Sequence, residues 1–319
     1  AVDCPASTFA LGEMRIVVVS TFYSLNMGYT ENCLPAALSR RGHEVHVITS
    51  QFNVYGTSPE YDRTYASFLG PSTVPVGTSS VDGYTVHRLQ YRLLAGYVAL
   101  RGMNKLVRQL KPQVVHSTAV ASLASYALAA ARPFSKFRLF IECHQHLSVV
   151  SPYLRSTGGH MAKRAVYWLT RTMPGTLVGL ASERCYAVAP DCAEVARHLY
   201  GVPVRKIRVQ SLGTDTVLFH PSVTVDEGAR RNALRAALGF TPEDVVYLYT
   251  GRLTEAKNPL LLAEAVAALA GRGHKVRSLF VGEGAQKARI LACENAHVVP
   301  FVQHAALADF YRIADVAVW

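Results

Sequence analysis

The sequence predicts two α/β domains, each a parallel sheet wound with helices. Three observations predict it. Short apolar runs such as IVVVS, EVHVIT and DVVYLY alternate with helix-patterned segments along nearly the whole chain. Their buried character is that of strands covered by helices on both sides. A length of 319 residues suffices for two domains at roughly 100–200 residues each.

Taken in order, IVVVS is a first strand, followed by a polar loop to Gly28 and a helix to about Arg41, with Gly42 placed for a left-handed helix cap. EVHVIT is the second strand, which completes a βαβ unit. Residues 51–83, rich in Gly, Ser, Thr and Pro, read as loops. TVHRL, QVVHST and RLFIECH are further strands, and a helix is expected from about Leu93 to Leu110. ERCYAVAP and KIRVQSL flank the helix DCAEVARHLYG. Alternation over this first part is that of a doubly wound sheet. The polar segment GTDTVLFHPSVTVDEG marks a hinge near residues 213–228, and we set the domains at 14–220 and 221–319. After the helix RRNALRAALG, the second domain runs through DVVYLYTG, a helix from Asn258, KVRSLFVG, QKARILACE, HVVPF, ALADFYRIA and DVAVW.

Half of the residues are hydrophobic and 17% are charged, which excludes global disorder. Lys and Arg number 33 against 22 Asp and Glu, a net charge of +11, so an anionic partner is expected or, equally, a merely basic surface. The basic residues are scattered without an interleaved aromatic motif, and nucleic acid is not an expected partner. Six cysteines show neither a CxxC pair nor zinc-like spacing. Reduced, buried thiols in a cytoplasmic protein are expected, without metal or cofactor. AVDCPASTFALGE has no basic n-region and no long apolar core, so no leader is expected and the first element begins at Met14. The uncharged run 112–131 contains His116 and several hydroxyls and reads as strand, turn and helix rather than a membrane span. Residues 153–172, mixing Arg155, Lys163, Arg164 and Arg171 with aromatics, read as a helix with a solvated basic face or as a peripheral contact with the inner face of a membrane.

The chemistry concentrates in TGRLTEAKNP, residues 250–259. Gly251 lets the backbone turn at a strand's carboxyl end, where α/β sheets bind ligands. Asn258 is a good N-cap and Pro259 a good first helical residue, so a helix N-terminus faces the loop holding Arg252 and Lys257. That construction suits a diphosphate; solvated loop cations are the alternative. VGEGAQ follows the adjacent strand with Gly282 and Gly284 around Glu283, so both loops should open on one edge. Gly28 precedes the first helix, where it either admits a phosphate or sugar or serves as a turn glycine. His116 and His144 stand at strand ends and carry structural and functional readings alike, whereas His43 lies in a turn at the opposite edge and reads as structural. No Ser-His-Asp order, P-loop or HExxH occurs, and the first loop lacks the GxGxxG of a dehydrogenase.

Together these residues resemble the GT-B glycosyltransferases, above all the retaining group known as family 4. The resemblance runs from Met14 to the end. MRIVVVSTFYSLNMGYTENCLPAALSRRGHEVHVIT is similar to the family's opening strand, glycine loop and helix. KPQVVHST resembles its "PDVVH" strand and SLGTDTVLFHP the end of its linker. TGRLTEAKN resembles the "GRL…K" donor loop, LFVGEG the next glycine loop, and VVPFVQHAALADFYRIADVAV the stretch before the catalytic carboxylates. Departures are SLGTD, where an asparagine often precedes the glycine, and NMGYTEN, with one glycine where many members have two. The E-x7-E motif is expected just beyond DVAVW, so the resemblance implies a truncated second domain.

The resemblance implies two Rossmann-like domains facing across a cleft, and a glycosyltransferase using a UDP- or GDP-sugar in envelope or exopolysaccharide assembly, with retention of configuration and no metal. Arg252 and Lys257 would bind the donor diphosphate and act in catalysis with His144, which would stand by the transferred sugar. Gly28, Gly251, Gly282, Glu283, Phe301 and Val302 would complete the donor site, the last two at the nucleobase. Tyr29 and His116 fall on the acceptor side, toward a glycan or lipid-linked acceptor. The competing readings are an inactive nucleotide-binding fragment without the carboxylates, and another GT-B enzyme such as a sugar-nucleotide epimerase.

Overall fold

The computed structural model describes residues 12–25, 27–94, 96–150 and 165–318. The chain divides into two compact units, Ala1–Ser58 with Pro71–Gly213, and Pro59–Gly70 with Thr214–Trp319. Most of the basic segment 153–172 lies outside the described residues; its end, 165–172, is helical and continues into helix Met173–Ala181.

The first unit is built on strands β1 (Arg15–Val19), β2 (Glu44–Ser50), β3 (Gly77–Val81), β4 (Tyr84–Leu89), β7 (Val114–Ser117), β8 (Arg138–Cys143), β9 (Arg184–Ala187) and β10 (Ile207–Val209). They form one sheet in the order β10-β9-β8-β7-β1-β2-β4-β3. All neighbours are parallel except β3 and β4. Alternation along β1 explains why the sheet is covered twice. Val17 and Val19 pack with Leu128, Leu139 and Val178 on one face, while Val18 packs with Val47, Tyr84 and Leu34 of helix α1 (Thr30–Arg40) on the other. Gly42 closes α1 at φ +84°, the left-handed conformation that ends helices without a Cβ penalty.

Two stretches differ from the sequence reading. Residues 51–83 contain helices Tyr61–Thr64 and Ala66–Leu69 and strand β3, not loops alone. Asp82 and Gly83, at φ +45° and +84°, make the tight turn joining β3 to β4; an Asp-Gly pair between strands is a hairpin signal. The helix expected over 93–110 starts only at Met103. Before it, β5 (Tyr91–Leu94) and β6 (Tyr97–Leu100) pair antiparallel around Gly96 at φ +81°. YRLL and YVAL suit a helix or a strand alike, and the left-handed turn at Gly96 decides for the ribbon.

In the second unit, β11 (Val245–Thr250), β12 (Val276–Val281), β13 (Ala296–Val299) and β14 (Val316–Ala317) form a parallel sheet ordered β13-β12-β11-β14. Helix Val225–Ala237 begins several residues before the expected RRNALRAALG. Its start is a capping box in which Thr224 Oγ1 accepts from the Glu227 N–H and Glu227 accepts from the Thr224 N–H. Arg235 of this helix is buried. It donates to the Ile313 and Asp244 carbonyls and to Asp315, which also accepts from the Val246 N–H at 2.8 Å and from Arg231. One guanidinium thus ties a helix to the segments that lead into β11 and β14. Replacing it leaves buried carbonyls without a donor, so Arg235→Ala is expected to lower unfolding free energy by about 3 kcal/mol in a urea titration.

Candidate functional site

Each unit gathers polar residues at the carboxyl edge of its sheet. In the first unit the chain winds from β1 to β2 in one direction and from β7 to β10 in the other. The edge between β1 and β7 is therefore the switch point where such sheets take ligands. Gly28, in the loop after β1, has φ +67°, a left-handed conformation that suits glycine. Tyr29 is the N-cap of α1, and its hydroxyl is 2.9 Å from the Tyr55 hydroxyl.

His116, in β7, and His144, just past β8, are brought together by a residue the sequence reading did not select. Glu142 accepts from His116 Nε2 at 2.8 Å through Oε1 and from His144 Nε2 at 2.6 Å through Oε2. His116 and Glu142 are buried, whereas His144 is 34% exposed. Burial pushes the Glu142 carboxyl up, but the hydrogen bonds and positive charge of the two imidazoles outweigh it and hold it at about 2. Glu31, in the first turn of α1, lies in the electrostatic range of both Glu142 and His144. Burial raises its carboxyl to about 7. The clue to Glu142 is a lone acid inside the apolar run RLFIEC. For Glu31 there is none, since an acid in a first helical turn is ordinary.

In the second unit, the two glycine loops are stitched together by their backbones. The Gly251 N–H donates to Val281 O at 3.0 Å, Leu253 N–H to Glu283 O at 2.9 Å and Gln286 N–H to Leu253 O at 2.9 Å. A Cβ on Gly282 would stand 1.9 Å from Gly251 O, and one on Gly284 2.4 Å from Leu253 O. Glycine is required there by loop-to-loop contact. Arg252 Nη1 donates to the Tyr65 hydroxyl at 3.0 Å, and its carbonyl accepts from the Tyr249 hydroxyl. Lys257 is exposed at the end of a short 3-10 turn, and Glu283 pairs with Lys287 at 3.0 Å. Asn258 does precede helix Pro259–Ala270, with Pro259 at its start. It acts through a left-handed backbone, φ +49°, and makes no side-chain cap bond. Phe301 stacks on Phe68 with ring centroids 4.1 Å apart, while the Val302 side chain packs into the core beside Leu279 and Ile313. Tyr65 and Phe68 belong to Pro59–Gly70, a segment the sequence reading left in the first domain.

Among the described residues, His146, Asp191 and Cys192 bring potential ligand atoms within 4.8 Å of one another. Asp191 already accepts from His146 and the Leu147 N–H, and burial raises the Cys192 thiol away from the thiolate a metal needs. This donor set fits a metal poorly.

Two α/β units, one with a carboxylate shared by imidazoles and one with a cation-bearing glycine loop, are the architecture of the GT-B class. The chain belongs to Glycosyltransferase Family 4: that family's model matches residues 34–218, and the model of glycosyl transferases group 1 matches residues 230–319. A D-inositol 3-phosphate glycosyltransferase of Xylanimonas cellulosilytica is 33% identical over 150 residues, which are 43% of this chain and 34% of that relative. The match thus spans about a third of the relative's length. The fold is that of the Anabaena protein HepE in its complex with UDP and glucose, with a TM-score of 0.58 at 15% identity, covering 96% of this chain and 73% of that one. It is also that of a putative UDP-N-acetylglucosamine 2-epimerase of Listeria monocytogenes, with a TM-score of 0.51 at 11% identity over 96% and 74% of the chains. No helix among the described residues is long and apolar enough to cross a membrane.

Two outcomes are expected. Gly284→Ala should cost at least about 2 kcal/mol in chemical denaturation, because backbone, not a flexible side chain, must move. For Glu31, the folded-state pKa of about 7 lies above the unfolded 4.5, so its contribution is whole below 4.5 and is lost as pH rises through 7. Glu31→Gln should therefore flatten stability over that window and leave the variant more stable than wild type, by about 2 kcal/mol, above it. Thermal melts at a series of pH values would check this.

Proposed function

We propose that this chain takes part in transfer of a sugar from a nucleotide-diphosphate sugar to a glycan or lipid-linked acceptor, with retention of anomeric configuration. The observation that carries the reading is the loop Gly251–Lys257. It is sutured to the Gly282–Gly284 loop and presents Arg252 and Lys257 at one strand edge. As the bond from the sugar to the diphosphate breaks, negative charge grows on the leaving phosphate. Preorganised cations stabilise that charge in the transition state more than in the ground state. Arg252, steadied by Tyr65, and Lys257 take that role without calling on a metal. Gly28 and His144 serve the donor phosphates and the transferred sugar, and Tyr29 and His116 the acceptor side. Phe301 and Val302 meet the base through their backbone, which suits a Val302 side chain committed to the core. Family membership and the printed names of the inositol-phosphate relatives support a transferase over an epimerase, since the fold alone is common to both. A phosphorylated polyol as acceptor is the variant those names suggest, and contact with a membrane surface remains part of the lipid-linked version.

Calorimetric titration of the chain with UDP and GDP tests this. Wild type is expected to bind one of them. Arg252→Ala/Lys257→Ala should weaken that binding at least about 100-fold, as loss of two charge-assisted contacts requires. A folded wild-type chain that binds neither nucleotide, or a double variant that binds as well as wild type, would overturn the assignment.

A further inference from the structure

Glu142, at the carboxyl edge of the first unit's sheet, commits its two oxygens to the ring nitrogens of two different histidines. Being ionised, it accepts and cannot donate. Both histidines must therefore place a proton on Nε2, His116 toward Oε1 and His144 toward Oε2. His116 is buried with the carboxylate, so it serves as a brace for the second oxygen; side-chain exposure is 11% for His116, 10% for Glu142 and 34% for His144. Among the described residues the partly exposed ring is tied at Nε2, and Nδ1 is the ring nitrogen outside this clamp. A neutral imidazole with its proton on Nε2 offers Nδ1 as an acceptor.

We propose that Glu142 is a positioning residue that fixes the tautomer and ring orientation of His144, so that Nδ1 accepts a hydrogen bond from a hydroxyl of a sugar ligand at the carboxyl edge of the first unit's sheet. The ligand half of this statement rests on the donor reading above; the clamp itself rests on the geometry of one buried carboxylate and two rings. Glu31 also interacts electrostatically with both His144 and Glu142.

The carboxamide of Glu142→Gln tests the arrangement with nearly unchanged shape. Its oxygen can still accept from one imidazole, but its NH2 donates, and the ring facing it must turn its Nε2 into an acceptor and move its proton to Nδ1. Long-range proton–nitrogen NMR of histidine-labelled chain, at a pH where the rings are neutral, reads this directly. Wild-type His144 is expected as the Nε2–H tautomer, and in Glu142→Gln at least one of His116 and His144 is expected as Nδ1–H. A wild-type His144 with its proton on Nδ1 would overturn the proposal without any variant having to fold. So would rings that stay Nε2–H in both proteins.

The second arm is a binding cycle with UDP and UDP-glucose as probes. His144→Ala, and Glu142→Gln where its spectra show His144 as Nδ1–H, should each weaken UDP-glucose about tenfold and leave UDP within about twofold, the size of one lost hydrogen bond. The double variant should be no weaker than His144→Ala alone, since Glu142 acts through that ring. Additive losses, or a His144 that turns to Nδ1–H while UDP-glucose binding does not weaken, would overturn the positioning role. A wild-type chain that binds UDP but gains nothing from the glucose would overturn the ligand half. One that binds neither probe would bring down the donor reading instead, and the ring spectra would still decide the clamp.

Discussion

A parallel sheet buried on both faces has almost nowhere to put a polar side chain. Along β1, Val17 and Val19 serve one core and Val18 the other, so every strand position is claimed by packing. Chemistry is pushed to the carboxyl edge, where strands end and backbone donors turn outward. Both units obey this constraint. His116, Glu142 and His144 fall in the last turns of β7 and β8 or just past them, and Arg252 and Glu283 in the first residues past β11 and β12. A polar group that stays partly inside the sheet must bring its own partner. Glu142 does so with two imidazoles.

In the second unit the same edge is shaped by contact between backbones. Gly282 and Gly284 lie against the carbonyls of Gly251 and Leu253, closer than any side chain would permit. The GxG therefore sets where Arg252 stands before it can touch any ligand. The Tyr65 hydroxyl then fixes the guanidinium itself, and Leu253, fully buried, pins the loop from below. An arginine held by three such restraints has little conformational freedom left to lose.

Elements with a strong local signal were legible in the sequence. The strand–helix alternation, the helix stop at Gly42 and the start at Pro259 each rest on one or two residues whose backbone preference is steep. So were the glycine loops and the two histidines, because strand ends can be counted from the apolar runs. The hairpin at β5 and β6 was missed because YRLL and YVAL suit either a helix or a ribbon, and only Gly96 argues for the turn. Tyr65 and Phe68 could not be found at all: they reach Arg252 and Phe301 through more than 180 residues of intervening chain. Glu142 lay in plain view as an acid in an apolar strand. Its meaning needed the register that sets β8 beside β7 and so brings it to His116.

Glu31 and Glu142 show why composition cannot assign roles to acids. Both are glutamates, both are screened from water, and each interacts electrostatically with His144. Desolvation pushes both carboxyls the same way. At Glu31 little opposes it, and the group stays protonated up to about 7; at Glu142 two ring N–H donors reverse it, and the group stays charged down to about 2. Two equal charges side by side would repel, so the separation of their affinities for a proton is what lets both occupy one crevice. Near neutral pH the pair offers one hydroxyl-bearing acid and one pure acceptor. That asymmetry is the usual physical basis for dividing acid and base roles between two like groups. Glu142 is held ionised by its two ring donors, and an ionised Glu142 is the condition for the proton of His144 to stay on Nε2.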